Sequence, residues 1–386
     1  MRILMISDVS FPRVNGVSTS IATFRQSLQE LGHETTLIAP DYPGHVESAP
    51  DVIRLPARQV PFDPEDRLMQ SRPLRRLLPR LRSGVYDLVH IHTPFRAHYA
   101  GVKLGRQLGL PIVETYHTFF EEYFHHYAGF LPGGLTRRIA RSMTLSQCRA
   151  VDALVVPSPQ MLEKLREYGV AVRAQVLPTG IDQTRFTGGD GRRFRAAHGI
   201  HEDRPLLVHI SRVAHEKNID FIVRMLPRVV AALPDVLLVI AGEGPAESHL
   251  RSLVRRLGLS DNVLFVGYLD RHSSLLDCYR AGDAFVFASR TETQGLVLLE
   301  ALALGTPVVS TAVMGTADVL KDAKGAIVVE EEEGAFAAAV LRVLQSRELR
   351  AQLSAVAPQD AQAWSAIGMA QRLLQFYASL LTGSPL

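Results

Sequence analysis

Short apolar runs alternate with helical patterns along this chain of 386 residues, and that alternation limits the possible folds more than any other feature. In the first half, the runs have the length and composition of buried strands. They occupy residues 2–7, 35–39, 52–55, 87–91, 111–115 and 153–157, and a strand-like stretch follows at residues 175–178. Strands separated by helices form a parallel, doubly wound sheet. We therefore predict an α/β fold that binds ligands at the carboxyl ends of its strands.

The same pattern starts again after residue 180. Two loop-like stretches, at residues 187–191 and 199–205, come before an apolar run that repeats the opening strand. This run and the later ones lie at residues 206–211, 236–241, 263–269, 284–288 and 307–310. The sequence therefore predicts two Rossmann-like domains, residues 1–182 and residues 183–363.

Charge and cysteine content exclude several classes of protein. Residues 1–180 contain 21 Lys and Arg against 16 Asp and Glu, a net charge of +5, and the remainder contains 21 against 23, a net charge of −2. The basic residues form no dense face with interleaved aromatics, so we expect no nucleic-acid partner. Cys148 and Cys278 lie far apart and suggest neither a disulfide framework nor a metal motif, which is typical of the cytoplasm. No apolar run approaches the length of a membrane span.

Residues 292–307 connect two of the predicted strands and carry the clearest chemical signal. Within them, residues 296–304 are rich in Leu and Ala and predict a short helix. Gly295 then lies at the helix start, Glu292 in the loop before it and Glu300 about one turn inside. Free N–H groups at a helix start favour phosphate, whereas carboxylates accept hydrogen bonds from hydroxyl groups. The spacing fits a nucleotide-sugar, and the alternative is a solvated helix with two ordinary glutamates.

Glu292-x7-Glu300 with Gly295, followed by Ala301-Leu-Ala-Leu-Gly-Thr-Pro307, resembles the retaining glycosyltransferases of family 4. The resemblance covers essentially the whole chain. It implies the GT-B fold: two Rossmann-like domains with a cleft between them, and a C-terminal helix, here 364–386, that crosses back to the first domain. It also implies that Glu292 contacts the donor sugar and Glu300 the ribose. The loop supplies further donor contacts, with Gln294 where the family usually has Phe: Thr293, Gln294, Gly295 and Leu296.

The same resemblance implies other donor contacts. Asn15-Gly16-Val17 is similar to the family's N-terminal glycine loop, which faces the donor phosphates, so Gly16 and Val17 are candidates. Arg212 and Lys217 match the pair that holds the departing diphosphate in place of a metal ion, so neither a metal nor a cofactor is expected. The alternatives are an Asn-Gly turn without function and a solvated basic loop. Two further contacts are predicted on strand-end loops, the second in the loop that reads the base: Gly242 and Leu269.

Tyr116-His117-Thr118 resembles a segment of the subgroup that contains the bacterial diacylglycerol glucosyltransferases. The resemblance places His117 beside the donor sugar, where imidazole can hydrogen-bond a hydroxyl group or stabilise developing charge. A His that only caps a strand is the alternative. The predicted catalytic set is His117, Glu292, Arg212 and Lys217. Other histidines suggest a metal site, but no carboxylate pattern accompanies them: His90, His92, His125 and His126.

The subgroup implies that the enzyme transfers glucose from UDP-glucose to a lipid such as diacylglycerol at the cytoplasmic face of the membrane. Residues 67–82 contain six Arg and no acid, and this segment can lie on an anionic membrane surface as a peripheral contact. Packing of residues 74–81 as a helix on the sheet is the alternative. The candidate acceptor and membrane residues are Arg75, Arg76, Arg80, Phe119 and Tyr123.

Other functions remain open on the sequence alone. The acceptor could be a lipopolysaccharide or polysaccharide, phosphatidylinositol or a small molecule. A non-catalytic nucleotide-sugar binder would also carry much of this pattern, because one fold serves many functions.

Overall fold

The structure, a computed structural model, describes residues 1–383 except residues 48, 61–62, 118–132, 272 and 293. Two compact units make up the chain: unit 1 is Met1–Gly180 with Ala366–Leu386, and unit 2 is Ile181–Ser365. The chain thus returns to unit 1 with its last helix. Several predicted residues lie outside the described ones: Phe119, Tyr123, His125, His126 and Thr293.

Unit 1 is built around a parallel sheet. Its strands are β1 Arg2–Ile6, β2 Glu34–Pro40, β3 Val52–Leu55, β4 Ala57–Val60, β5 Asp63–Met69, β6 Leu88–Ile91, β7 Ile112–Thr115, β8 Ala153–Val156 and β9 Arg173–Val176. In the described residues, seven of them form the sheet in the order β3-β2-β1-β6-β7-β8-β9. The strands β4 and β5 pair separately as an antiparallel hairpin. The central strands are buried on both faces, as parallel sheets require.

Unit 2 repeats this architecture with a second parallel sheet. Its strands are β10 Leu206–Ile210, β11 Leu237–Ala241, β12 Val263–Gly267, β13 Ala284–Phe287, β14 Val308–Ser310 and β15 Ala326–Val328. They lie in the order β12-β11-β10-β13-β14-β15. The central strand β10 therefore has β11 on one side and β13 on the other, and the loops that follow these strands emerge at the same edge.

Helices connect the strands in both units. In chain order they are α1 Gly16–Glu30, α2 Ser71–Ser83, α3 Arg96–Leu108, α4 Gly133–Cys148, α5 Pro159–Glu167, α6 Gly191–Ala197, α7 Ile219–Ala232, α8 Glu247–Arg256, α9 Ser274–Ala281, α10 Leu296–Ala303, α11 Gly315–Leu320, α12 Glu333–Gln345, α13 Arg347–Gln362 and α14 Ala366–Leu381. In unit 1, Phe24 of α1 and Phe376 of α14 share one buried cluster with Met5 of β1. The last helix is thus an integral part of the core of unit 1.

The structure adds two elements that the apolar runs did not predict, the β4–β5 hairpin and the strand β15. It also divides the basic segment 67–82, because residues 67–69 belong to β5 and α2 begins at Ser71. Within α2, Leu74 and Leu81 are buried while Arg76 and Arg80 are exposed. The leucines therefore pack into unit 1, as the alternative interpretation expected, and the arginines remain at the surface.

We expect Phe376→Ala to destabilise unit 1 by about 3–5 kcal/mol, because it removes a fully buried ring from the interface of α14 with the sheet. Chemical unfolding followed by circular dichroism measures the change. The control is Gln375→Ala, an exposed neighbour on the same helix. Equal stabilities of the two variants would contradict the role of α14 in the core of unit 1.

Candidate active site

Two strand-end loops of unit 2 bring opposite charges together. Nζ of Lys217, after β10, lies 2.5 Å from Oε1 of Glu292, after β13. The two side chains are only 20% and 17% exposed, so solvent screens the ion pair weakly. Arg212 is exposed on the same loop as Lys217. The structure thus joins two predicted catalytic residues that lie 75 positions apart, because β10 and β13 are neighbours.

Asn218 holds these loops against each other. Its φ of 54° lies in the left-handed region, which Asn tolerates better than most residues. Its Nδ2 donates to the backbone O of Ala288 at 3.0 Å and to Oε1 of Glu331 at 3.2 Å. Oγ1 of Thr291 donates to the backbone O of Glu216 at 3.3 Å. These hydrogen bonds fix the position from which Lys217 reaches Glu292.

The start of α10 completes the edge of the site. Gly295, with a φ of 87°, turns the chain into the helix, and a Cβ there would lie 3.0 Å from Cγ2 of Thr316. The backbone N–H of Gly315 donates to the backbone O of Glu292 at 2.9 Å. Gln294 is buried and Leu296 is partly buried. Since the first N–H groups of a helix have no partner within it, this start is suited to bind phosphate.

Glu300 lies one turn inside α10 and has two partners that the sequence did not reveal. Nη2 of Arg271 donates to its Oε1 at 2.8 Å, and the hydroxyl of Tyr279 donates to its Oε2 at 2.9 Å. The side chain of Glu300 is only 6% exposed, and its charge raises the pKa of Arg271. A carboxylate offers about four acceptor positions, so two remain for hydroxyl groups of a ligand.

Close packing explains Gly242 at the end of β11. Its φ is 124°, and a Cβ would lie 1.9 Å from the backbone O of Ser211, so this position admits only glycine. The backbone N–H of Gly242 donates to the backbone O of Gly267 at 2.7 Å. The side chain of Leu269 packs against the core of unit 2. The donor contacts predicted for Gly242 and Leu269 would therefore come from their backbone groups.

In unit 1, the predicted glycine loop becomes the capped start of α1. Oδ1 of Asn15 accepts from the backbone N–H of Ser18 at 2.9 Å, and Oγ of Ser18 accepts from that of Asn15 at 2.9 Å. Val17 packs against the core. A Cβ at Gly16 would have no atom within 4 Å, so the backbone faces open space there.

His117 follows β7 and is partly buried, at the end of a row that continues with the buried His92 and His90. Its Nε2 lies 3.5 Å from Nδ1 of His92, and the ring of His92 lies 4.1 Å from that of His90. His90 hydrogen-bonds the hydroxyl of Tyr377 at 2.6 Å and that of Thr115 at 2.7 Å. Burial lowers the pKa of His117 to about 4. At neutral pH, this imidazole is uncharged and is suited to hydrogen-bond a hydroxyl group.

The described residues do not support the metal site considered above. His90 already uses both ring nitrogens, for Tyr377 and Thr115. Across the described part of the chain, no three His, Cys, Asp or Glu side chains come together as metal ligands.

Known proteins resemble the chain along most of its length. The family descriptions Glycosyltransferase Family 4 and Glycosyl transferases group 1 match residues 14–185 and 190–360. The alpha-monoglucosyldiacylglycerol synthase of Streptococcus pneumoniae is 33% identical over 318 residues, which are 80% of this chain and 71% of that protein. The chain belongs to glycosyltransferase family 4. A second relative, a GDP-mannose-dependent alpha-mannosyltransferase of Mycobacterium tuberculosis, is 29% identical over 326 residues, which are 83% of this chain and 81% of that protein.

The fold of this family 4 glycosyltransferase agrees with that of solved structures. Sucrose-phosphate synthase from Thermosynechococcus elongatus matches it with a TM-score of 0.78 and 22% identity, over 99% of this chain and 100% of that chain. Together with the two parallel Rossmann-like sheets, this likeness confirms the predicted GT-B fold. The enzyme is a retaining hexosyltransferase, as the sequence predicted.

We expect Lys217→Ala to lower kcat of this glycosyltransferase by about a hundredfold, because the family resemblance implies that this charge stabilises a departing diphosphate, a contribution of about 3 kcal/mol. It also leaves Glu292 without its partner. Steady-state assays measure the loss. Lys164→Ala is the matched control, since Lys164 pairs with Glu167 at 2.8 Å on the surface of unit 1. Near-normal turnover of Lys217→Ala would contradict the assignment of Lys217 to the active site.

Proposed function

We propose that this enzyme transfers glucose from UDP-glucose to a lipid acceptor such as diacylglycerol, at the cytoplasmic face of the membrane and with retention of configuration. The observation that carries the proposal is the ion pair of Lys217 and Glu292 beside the start of α10. A cation suited to bind phosphate and a carboxylate suited to accept hydrogen bonds from sugar hydroxyls therefore lie side by side, which supports the proposal. A nucleotide-sugar requires both kinds of group, because it contains a negatively charged diphosphate and hydroxyl-rich sugars.

Donor binding exchanges the partners of these side chains. Lys217 leaves Glu292 for the diphosphate, and the freed carboxylate accepts hydrogen bonds from the hexose. Arg212 and the first N–H groups of α10 add positive charge around the phosphates. Glu300, which Arg271 and Tyr279 hold in place, accepts hydrogen bonds from the ribose hydroxyl groups. These residues supply the positive charge themselves, so no metal ion is required.

The reaction then takes place on one face of the sugar. The bond between the anomeric carbon and the diphosphate oxygen breaks, and the acceptor oxygen attacks from the side on which the diphosphate leaves. The departing diphosphate takes the proton of the acceptor hydroxyl, so the chain needs no separate base. Lys217 and Arg212 stabilise the negative charge that grows on the leaving group. Neutral His117 hydrogen-bonds a sugar hydroxyl in this proposal.

The names of the relatives support a lipid acceptor and a glucosyl donor in one case and a different donor in another. The relative from Streptococcus pneumoniae is named for glucosylation of diacylglycerol. The relative from Mycobacterium tuberculosis is named for GDP-mannose. GDP-mannose is therefore the second donor that an assay must include.

An assay with purified protein tests the proposal directly. UDP-glucose and GDP-mannose are each supplied with diacylglycerol in anionic vesicles or with a water-soluble alcohol, with and without EDTA. We expect a glycolipid by mass spectrometry and release of nucleoside diphosphate only with UDP-glucose and the lipid, unchanged by EDTA. A product from GDP-mannose alone would refute the donor, and activity lost in EDTA but restored by Mg²⁺ would refute the metal-free site.

A basic surface on unit 1 supports the membrane location. The helices α2, α3 and α4 together contain eleven Lys and Arg and no Asp or Glu. Right-handed connections from β6 to β7 and from β7 to β8 place α3 and α4 on one face of the sheet, and α2 packs against α3. The charged side chains described as exposed are Arg72, Arg76, Arg80, Arg82, Arg96, Lys103, Arg106, Arg138 and Arg141.

Exposed apolar side chains accompany these charges. Tyr99 of α3 is 63% exposed and Ile139 of α4 is 38% exposed. None of the helices in the described ranges has the length and apolar character that a bilayer crossing demands. Each basic residue near an anionic surface contributes about 1 kcal/mol. Basic helices with exposed apolar side chains are therefore suited to bind the membrane peripherally.

We expect the triple variant Arg72→Gln, Arg76→Gln, Arg82→Gln to bind anionic vesicles about a hundredfold more weakly at low salt, because about 3 kcal/mol of attraction is lost. Vesicle flotation measures the partition. The matched control replaces three exposed arginines of unit 2, Arg228, Arg255 and Arg256, with Gln. Absence of wild-type binding at low salt, or equal binding of both triple variants, would contradict the proposal that the basic surface of unit 1 binds the membrane.

A further inference from the structure

A fully buried imidazole lies beneath the loop that carries Arg212 and Lys217. His209 belongs to β10, and its Nδ1 lies 2.9 Å from the backbone O of Val286 in β13. Its Nε2 lies 2.8 Å from Oγ of Ser211, and this Oγ lies 3.0 Å from the backbone O of Arg212. Three consecutive polar contacts thus lead from the interior of the sheet to the loop of the candidate diphosphate site.

The protonation state of His209 determines how many of these three contacts can be hydrogen bonds. The carbonyl oxygens at both ends accept only, so Nδ1 of His209 donates to Val286. With a neutral ring, Nε2 has no proton, and the single hydroxyl proton of Ser211 serves either Nε2 or the carbonyl of Arg212. Only a doubly protonated ring makes all three contacts hydrogen bonds, with Nε2 donating to Oγ. The geometry therefore accommodates one proton more than the neutral row contains.

The surroundings keep that proton away in the resting enzyme. Burial is the largest of several influences that together lower the pKa of His209 to about 4: the charge of Lys217 also lowers it, while the hydrogen bond to the carbonyl of Val286 and the charge of Glu292 raise it. The rings of Phe285 and Phe287 stack beside His209 from β13, and Ile240 pairs with it from β11. None of these three neighbours titrates. An anion beside Ser211 would change the balance, because a negative charge within about 4–6 Å stabilises imidazolium.

We propose that Ser211 and His209 are positioning residues of the diphosphate site, and that His209 takes up one proton from solvent when a nucleotide-sugar binds. The inference rests on the proposed donor class. Ser211 donates its hydroxyl proton to a phosphate oxygen, and the newly protonated Nε2 of His209 donates to Oγ of Ser211. The diphosphate thus gains a hydrogen bond from the hydroxyl of Ser211, which the hydrogen bond from His209 keeps in position. Binding therefore strengthens as the pH falls from 8 to 6.

Calorimetry in buffers of different ionisation enthalpy counts this proton. UDP-glucose is the probe, with GDP-mannose as the second donor, because a diphosphate esterified at both ends does not itself titrate at pH 6. We expect the wild type to take up about half a proton or more at pH 6 and almost none at pH 8, as expected for an imidazole whose pKa rises on binding. His209→Asn is expected to bind the donor without uptake at pH 6.

Two further variants test the inference without a substitution at the buried His209. Ser211→Ala removes the acceptor of the new proton, and it should abolish uptake and weaken binding about tenfold, the usual loss for a hydrogen bond to a charged group. His201→Asn, at a histidine whose side chain is 80% exposed, should retain the wild-type uptake. Donor binding without uptake in the wild type, or undiminished uptake in His209→Asn or Ser211→Ala, would overturn the inference alone. Failure of the wild type to bind either donor would refute the proposed donor class as well.

Discussion

The ion pair of Lys217 and Glu292 is the interaction on which the candidate site of unit 2 depends. It joins loops that follow two neighbouring parallel strands, so a sheet with a different strand order would separate the two charges. Asn218 and Thr291 tie the same loops together through backbone carbonyl groups. Charge and backbone geometry thus support each other. Without a ligand, the pair also satisfies two charged groups that are mostly withdrawn from solvent.

Much of this arrangement could be predicted from the sequence because it follows from local pattern. Apolar runs of four to seven residues marked most strands, and Gly295 marked the start of α10. The resemblance to a family implied that Lys217 and Glu292 both contact the donor, but their ion pair was not predicted, because it depends on β10 and β13 being neighbours in the sheet. The strand β15 has three residues and the β4–β5 hairpin is polar, so neither carried a periodic signal strong enough to be recognised.

The partners of Glu300 were missed for a different reason. Arg271 and Tyr279 lie 29 and 21 positions away, and the contacts arise only when the loop before α9 and Tyr279 of α9 come beside Glu300 of α10. A sequence shows which side chains can form an ion pair but not which of many arginines is nearest. The same limit applies to the histidines of β6 and β10. Their types were visible, whereas their burial, which makes them neutral at physiological pH, is a property of the assembled sheet.

The helix α14 has a consequence for the order in which the enzyme folds. It supplies Leu373 and Phe376 to the core of unit 1, and the hydroxyl of Tyr377 hydrogen-bonds His90, yet α14 follows all of unit 2 in the sequence. During synthesis, a ribosome delivers the strands of unit 1 first and their final covering helix only after all of unit 2. Unit 2 has all its residues before α14 is made, whereas the nascent strands of unit 1 present an uncovered apolar face until then. The domain that is made first is therefore the domain that is completed last.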